Sequence, residues 1–453
     1  MEKKHKISLD NSNVGVGGED KISNLPDPLI HHIFSFLPTK CALSTCILST
    51  RWKYLSNSIP TLDFRRWRPL VGYRNEEEML QESKPFMNFL DRVLCLHEKP
   101  KIQKFCLSWD EHFDESRVNN WIAIVVKRKI EELFLSKGST TPFIFPLSLF
   151  TCDSLTVLDL GMARLNVPNK VHFPRLKLLR LRHMNFVNGF SLNQLVSNCP
   201  ILEELSLIHC VSLKSEVLCI ANVALKNLYI SYCYFEESTM KICSPNLSTI
   251  SYGKYLPKDF VIDSFPSLLE ADMDILSREH NGAEKFVLTK LYKKLANVKL
   301  LKGSGTFFQI LSQADILLAD LPAFNNLIHL EVSSAAILRR FFRFLQLWPN
   351  LESIVFAKRI GFPEDDDCWS LDPKGSLPHL KSIKFINFRG GPMELTAIKL
   401  FLKYAGFLET VTIVASPELS NHTNEQVNVM KQLLEFPRLA NCVVKFLMSY
   451  ENA

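Results

Sequence analysis

The sequence predicts an α/β repeat protein with a small helical module at its N-terminal end. Three observations predict it. A leucine pattern, LxxLxL, recurs at spacings of 21, 26 and 23 residues. A proline-bounded helical stretch occupies residues 20–64. No nucleotide, metal or nucleophile signature stands out along the 453 residues. At roughly 150 residues per domain, a chain of this length exceeds one core and calls for several units or an array. Hydrophobic residues make up 47% and charged residues 22%, too apolar for disorder. Phe is abundant at 32 and Gly scarce at 16, which argues for a large core and against glycine-rich nucleotide-binding architectures.

The formal charge of +6 is spread along the chain, with short basic patches at Arg65, Arg66 and Arg68 and at Lys127, Arg128 and Lys129. A nucleic-acid binder concentrates its charge on one face or tail, so no nucleic-acid partner is expected. The 12 cysteines form no CxxC pair, and the start lacks the apolar core of a signal peptide. Unpaired cysteines fit a reducing compartment and read as small core hydrophobes. Apolar runs such as 122–126 are far too short for a bilayer. The expectation is a soluble protein, cytoplasmic and/or nuclear, with no membrane partner.

Residues 1–19 lack periodicity and read as a flexible tail. In the next stretch Pro26 and Pro28 fit the first turn of a helix, where the backbone needs no donor. Asp27 places negative charge at the positive end of the helix dipole. Leu29, Ile33, Phe36 and Leu37 recur at i, i+4, i+7 and i+8, one apolar face, and Pro38 stops the helix. Residues 42–55 form one or two short helices carrying Leu43, Ile47, Leu48, Trp52 and Leu55. So little helix cannot build a large core alone. The surplus apolar face either docks a partner or packs on the downstream body, and pattern alone leaves both open.

Leu25, Pro26, Asp27, Leu29, Ile33, the run 36–40, the run 48–52, Leu55 and the run 59–64 resemble an F-box of the plant leucine-rich-repeat type. In that family the Leu-Pro pair and apolar helix faces bind a Skp-type adaptor, itself linked to a cullin scaffold. The resemblance implies adaptor contact for Leu25, Pro26, Leu29, Ile33, Phe36, Leu37, Pro38 and Trp52, with Phe36 and Trp52 equally suited to holding the F-box together.

A helical connector or cap is expected over 65–99, from Phe86, Phe89, Leu90, Val93 and Leu94, and leucine-rich repeats over 100–376. Residues 102–109 read as a strand, 118–130 as a helix with Trp121, Ile122 and Val125 inward, and 132–135 as the next strand. The clear repeats begin at Leu155, Leu176, Leu202 and Leu225, with degenerate copies at Leu247, Leu268, Leu295, Leu327, Leu351 and Leu380. Two copies extend to LxxLxLxxC, ending at Cys210 and Cys233, a turn position where the side chain satisfies loop backbone. Stacking such units gives a parallel sheet whose inner face carries the variable residues, here Asp159, Arg180, Arg182, Ser206, Tyr229 and Ser231. Arg180, Arg182 and His183 form a basic cluster beside Tyr229, residue types that suit a protein cargo, although solvated strand polar residues are the simpler explanation for any single one.

Residues 377–453 differ in texture. A strand ends at Phe388, Arg389 and Gly390; a helix runs over 393–405; a second strand occupies 408–413, then a helix over 427–434 and a strand over 442–446. This resembles the FBD module that follows leucine-rich repeats in many plant F-box proteins, and its expected role is to cap the repeat core.

Glu364 and Asp365–367 lack the spacing and glycine of a calcium loop, the 303–306 stretch lacks the lysine of a P-loop, and His31 and His32 have no metal-spaced partners. No catalytic residue, metal or cofactor is expected. The function implied is substrate recognition in a Skp–cullin–F-box ubiquitin ligase, with a protein cargo on the repeats. A small-molecule co-receptor of the same architecture and a repeat scaffold outside any ligase are the alternatives.

Overall fold

The computed structural model describes residues 25–65, 76–138, 141, 143–161, 167–186, 189–212, 216–277, 282–312, 321–333, 344–357, 377–436 and 442–448. The expected tail, the Arg66 and Arg68 part of the basic patch and the 364–367 acidic run lie outside them.

The N-terminal module contains α1 (Asp27–Ser35), α2 (Thr39–Ser44), a short 3-10 turn (Thr45–Ile47) and α3 (Thr50–Ser56). Pro26 stands at the N-cap of α1 with extended backbone, and its carbonyl accepts from Leu29 N and Ile30 N at 3.0 and 3.2 Å. Ser49 caps α3 by accepting from Trp52 N at 3.2 Å, a contact of the kind worth about 1 kcal/mol.

β1 (Thr61–Phe64) follows, then α4 (Glu76–Leu96), β2 (Lys104–Trp109), α5 (Glu115–Lys127) and β3 (Glu132–Lys137). From there strands recur as β4 (Val157–Gly161), β5 (Leu178–Arg182), β6 (Glu204–Ile208), β7 (Val217–Ala221), β8 (Asn227–Cys233), β9 (Thr239–Cys243), β10 (Thr249–Lys254), β11 (Asp259–Ile262) and β12 (Glu270–Ile275). The last are β13 (Leu300–Gly303), β14 (His329–Val332), β15 (Ser353–Phe356), β16 (Ser382–Phe388), β17 (Thr410–Ala415) and β18 (Val443–Leu447). Among the described residues they build one fifteen-stranded parallel sheet, from which β7, β9 and β11 are set aside as a second, three-stranded sheet.

The repeat leucines explain this architecture. Leu155, Leu158 and Leu160, Leu176, Leu179 and Leu181, Leu202, Leu205 and Leu207, and Leu225 and Leu228 are each at most 1% exposed. The first leucines of all six degenerate copies are buried as deeply. Burying such a side chain is worth about 1.5–3 kcal/mol, and each repeat obtains it only from its neighbours. Cys210 and Cys233 bond backbone of the neighbouring strands and not of a loop: their thiols donate to Leu181 O on β5 and Leu207 O on β6 at 3.4 Å each. Burial pushes the Cys106 and Cys199 thiols up to about 12 and raises that of Cys233 as well.

The parallel sheet runs across both expected ends of the repeat region. The array begins not near residue 100 but at β1, inside the expected F-box span, because Thr61–Phe64 pair with Lys104–Leu107. Pro60 O accepts from Gln103 N and Lys104 N, and Thr39 Oγ1 accepts from Asp63 N at 2.6 Å. The helical module is thereby joined to the sheet. At the other end β16, β17 and β18 continue the sheet, and Val443 and Leu447 on β18 remain about half exposed. α4 buries Met87, Leu90 and Leu94 against the array.

The motifs of the C-terminal stretch are likewise structural. The buried Glu394 carboxylate accepts from Arg389 N and Gly391 N at 3.0 and 3.1 Å, shaping the turn that starts the helix Pro392–Tyr404. In the 303–306 stretch, Ser304 accepts from Phe307 N at 3.2 Å and donates to Ile275 O at 2.8 Å, the bonding of a helix cap.

Candidate functional site: an exposed helix face and a concave sheet

The N-terminal module has its own core: Ile30, Phe34, Ala42, Trp52, Leu55 and Ile59, with Leu25, Leu37 and Leu43 packed against it. α1 is apolar on two faces. Ile30 and Phe34 turn inward, at 0% and 1% exposure. Leu29, Ile33 and Phe36 turn outward, at 49%, 40% and 74%. The face read from the sequence is therefore the outer one, while the inner one sits a single residue along. Leu25 and Leu37 are half-buried, and Pro26 and Pro38 exposed, at the margins of this face.

Trp52 is the correction. At 4% exposure, with its ring edge-on to Phe34 at 5.5 Å, it holds the module together and has no face to offer an adaptor. Sequence reading did not assign Ile47 or Tyr54 to the site, yet they are 86% and 66% exposed beside Leu48 at 62%. Arg51 also gains a role, donating to Leu25 O at 2.6 Å and pairing with Asp27, which ties α3 to the start of α1. Between α1 and α4 lies a groove of about 1870 Å³, lined among others by Phe36, Leu37, Pro38, Phe86, Phe89 and Lys104.

The polar face of the sheet is set by register. Asp159, Arg180, Ser206, Tyr229, Ser251 and Asp272 stand side by side on successive strands. Arg182 lies one step along β5, opposite Gly161. The expected basic cluster is neutralised. Arg182 Nε donates to Asp159 Oδ1 at 2.8 Å, and Arg180 lies 3.7 Å from Asp159 and 3.6 Å from Glu204. Asp159 is nearly buried, so its charge needs these partners.

His183 turns off the strand beside the cluster. It adopts φ 57° past the end of β5, and its ring stacks on His209 at 5.0 Å, which stacks in turn on Tyr232 at 5.0 Å. Burial first, then His209 and Arg182, hold its imidazole below the usual pKa. The Tyr229 hydroxyl is raised by burial and by Glu204 and Glu270. The basic run at 127–129 serves the scaffold too: Arg128 donates to His97 O and Leu94 O, and Lys129 pairs with Asp153.

Comparison with known proteins bears on this geometry. The F-box domain family model matches residues 22–63, and the model for the LRR repeats of FBD-associated F-box protein At5g56370 matches residues 118–281. The F-box/LRR-repeat protein At4g14096 of Arabidopsis thaliana is 30% identical over 95% of both chains. The chain belongs to the F-box/LRR-repeat family. A putative F-box/FBD/LRR-repeat protein of Arabidopsis thaliana, At5g22670, is 31% identical over 95% of this chain and 98% of its own. The FBD-associated F-box protein At4g10400, from the same plant, is 30% identical over 88% and 94%.

As an F-box/LRR-repeat protein, the chain divides its described surface plainly: an apolar helical face on the N-terminal module and a polar sheet face along the repeats. Among the described residues no group of three or more His, Cys, Asp or Glu is placed to hold a metal. No described helix is long and apolar enough to cross a membrane.

Proposed function

We propose that this protein is the substrate-recognition subunit of a Skp–cullin–F-box ubiquitin ligase. The F-box binds a Skp-type adaptor, through it a cullin, and the repeats hold a protein cargo. The observation that carries this reading is the outer face of α1: Leu29, Ile33 and Phe36 stay exposed although the F-box core beneath them is complete. An apolar face that its own domain leaves uncovered is a docking surface. Ubiquitin transfer belongs to the E2 enzyme carried elsewhere on the assembly. This subunit contributes proximity, by raising the effective concentration of cargo lysines near that enzyme.

The sheet running unbroken from β1 supports the same reading, because it fixes the repeats relative to the adaptor face. We assign residues 377–453 to the FBD module named in two of the relatives, acting to lengthen the array. The alternative of a small-molecule co-receptor draws no support from Arg180 and Arg182, whose charges meet Asp159 and Glu204. The site of action on this reading is the cytoplasm, the nucleus or both.

The test is an affinity capture from plant extract with the proteasome inhibited, comparing wild type with Leu29→Ala/Phe36→Ala. Adaptor and cullin are expected with wild type and absent from the variant, while cargo is retained by both. A folded wild type that captures no adaptor ends the ligase reading.

A further inference from the structure

The polar face of the sheet changes character between β10 and β14. Glu270, Asp272 and Asp274 project from alternate positions of β12, and Glu331 stands two strands away on β14. Lys302, on the strand between, is committed to Glu331 at 2.9 Å. Asp272 Oδ1 is buried without a hydrogen-bond partner. Burial, Asp274 and Glu331 raise its carboxyl pKa against the opposing pull of Lys302. Glu270 and Asp274 are exposed on either side of it, so the strip presents negative charge to an incoming cation.

A second, independent feature adjoins this strip. Asp274 pairs in register with Gly253, and the next residue, Lys254, turns away in a left-handed conformation at φ 103°, where the β8–β10 register shifts. Its ammonium lies 4.7 Å from the Tyr234 ring centroid and 5.5 Å from those of Tyr232 and Tyr255, and donates to Tyr234 Oη at 2.7 Å. Three aromatic faces around one ammonium form a cation site, here filled by the chain's own lysine. A backbone angle that L-residues rarely adopt accompanies that placement.

We propose that this sector docks a lysine- or arginine-rich segment of the recruited protein. Glu270, Asp272 and Asp274 pair with its cations, and the tyrosine trio takes one of them in place of Lys254. The inference rests on the cargo reading above and names the chemistry of the cargo. Lys254 then acts as a built-in competitor that sets a threshold, so a single stray lysine is excluded and a cluster is admitted. Complementary charge of this kind selects partners and speeds encounter more than it adds affinity.

The experiment uses the full-length protein and an oligolysine peptide, with oligoglutamate as the opposite probe, by fluorescence anisotropy at low and moderate salt. Asp272→Asn/Asp274→Asn should weaken oligolysine binding about tenfold, in line with the loss of two close charge pairs. Tyr234→Leu should weaken it, and Lys254→Met should strengthen it severalfold. Glu418→Gln, an exposed carboxylate paired with Arg389, should leave it unchanged.

Equal loss in Glu418→Gln, indifference to Asp272→Asn/Asp274→Asn, or weaker binding in Lys254→Met would overturn the proposal. Adaptor binding measured on the same preparations separates the two readings. Its absence in wild type would remove the ligase role and leave the oligolysine result standing.

Discussion

Replacing Phe36 by alanine removes a ring that is 74% exposed and contributes little to the F-box core. Full burial of a Phe side chain is worth about 1.5–3 kcal/mol, so an adaptor covering the exposed three-quarters should gain about 1–2 kcal/mol from it. Phe36→Ala should therefore weaken adaptor binding about 5–30-fold. Folding stability should change by less than about 0.5 kcal/mol, as for other surface substitutions. Phe34→Ala is the matched contrast: its ring is 1% exposed and packs on Trp52, so it should cost about 3–5 kcal/mol of stability. The assay is isothermal titration of purified adaptor into each variant, paired with urea denaturation. If Phe36→Ala lost as much stability as Phe34→Ala while binding the adaptor normally, the division of α1 into an inner and an outer face would be wrong.

Three further outcomes follow from the same geometry. His97 is buried between Ile59 O and Lys99 O, at 2.9 and 3.2 Å, and burial holds its pKa below 6.5. The unfolded chain binds that proton first, so stability should fall as pH drops through about 6.5 and level off below the folded pKa; His97→Gln should flatten this slope in denaturation at a series of pH values. Gly390 has φ 76°, and a Cβ there would lie 2.5 Å from Val429 Cγ2, so Gly390→Ala should cost about 2 kcal/mol or more by thermal unfolding, with partial relief from Val429→Ala. In native protein, iodoacetamide should label the exposed Cys41 and Cys95 and spare Cys106, Cys199, Cys210 and Cys233, read by mass spectrometry; labelling of Cys210 or Cys233 without unfolding would contradict their place in the core.

The repeat strands were legible because their signal is local. Leu179 and Leu181, or Leu205 and Leu207, face the core by the alternation of any strand, and the LxxLxL spacing announces it without reference to distant residues. The F-box was legible for a related reason: Leu25, Pro26, Phe36, Leu37 and Pro38 form a dense local motif. Helical periodicity also found the outer face of α1. It did not find that Ile30 and Phe34 form the inner one, because two apolar stripes one residue apart are equivalent until something packs against one of them. Trp52 stays open between core and adaptor contact for the same reason, since nothing in its neighbours states that Phe34 packs beneath it.

The sequence by itself determined a proline-bounded helical module joined to a leucine-rich array, because both are written in short-range spacing and burial preference; the module was named as an F-box by its resemblance to that family. Tertiary structure decided the rest. It joined the F-box to the array through β1, extended the sheet through β18, and set Asp159 between Arg180 and Arg182, which cancelled the apparent basic patch. It also turned His183 off the strand and onto His209, and drew Lys254 among three tyrosines. Several of these contacts link residues twenty or more positions apart. Strand register and turn geometry, which no local pattern encodes, decide whether such residues meet.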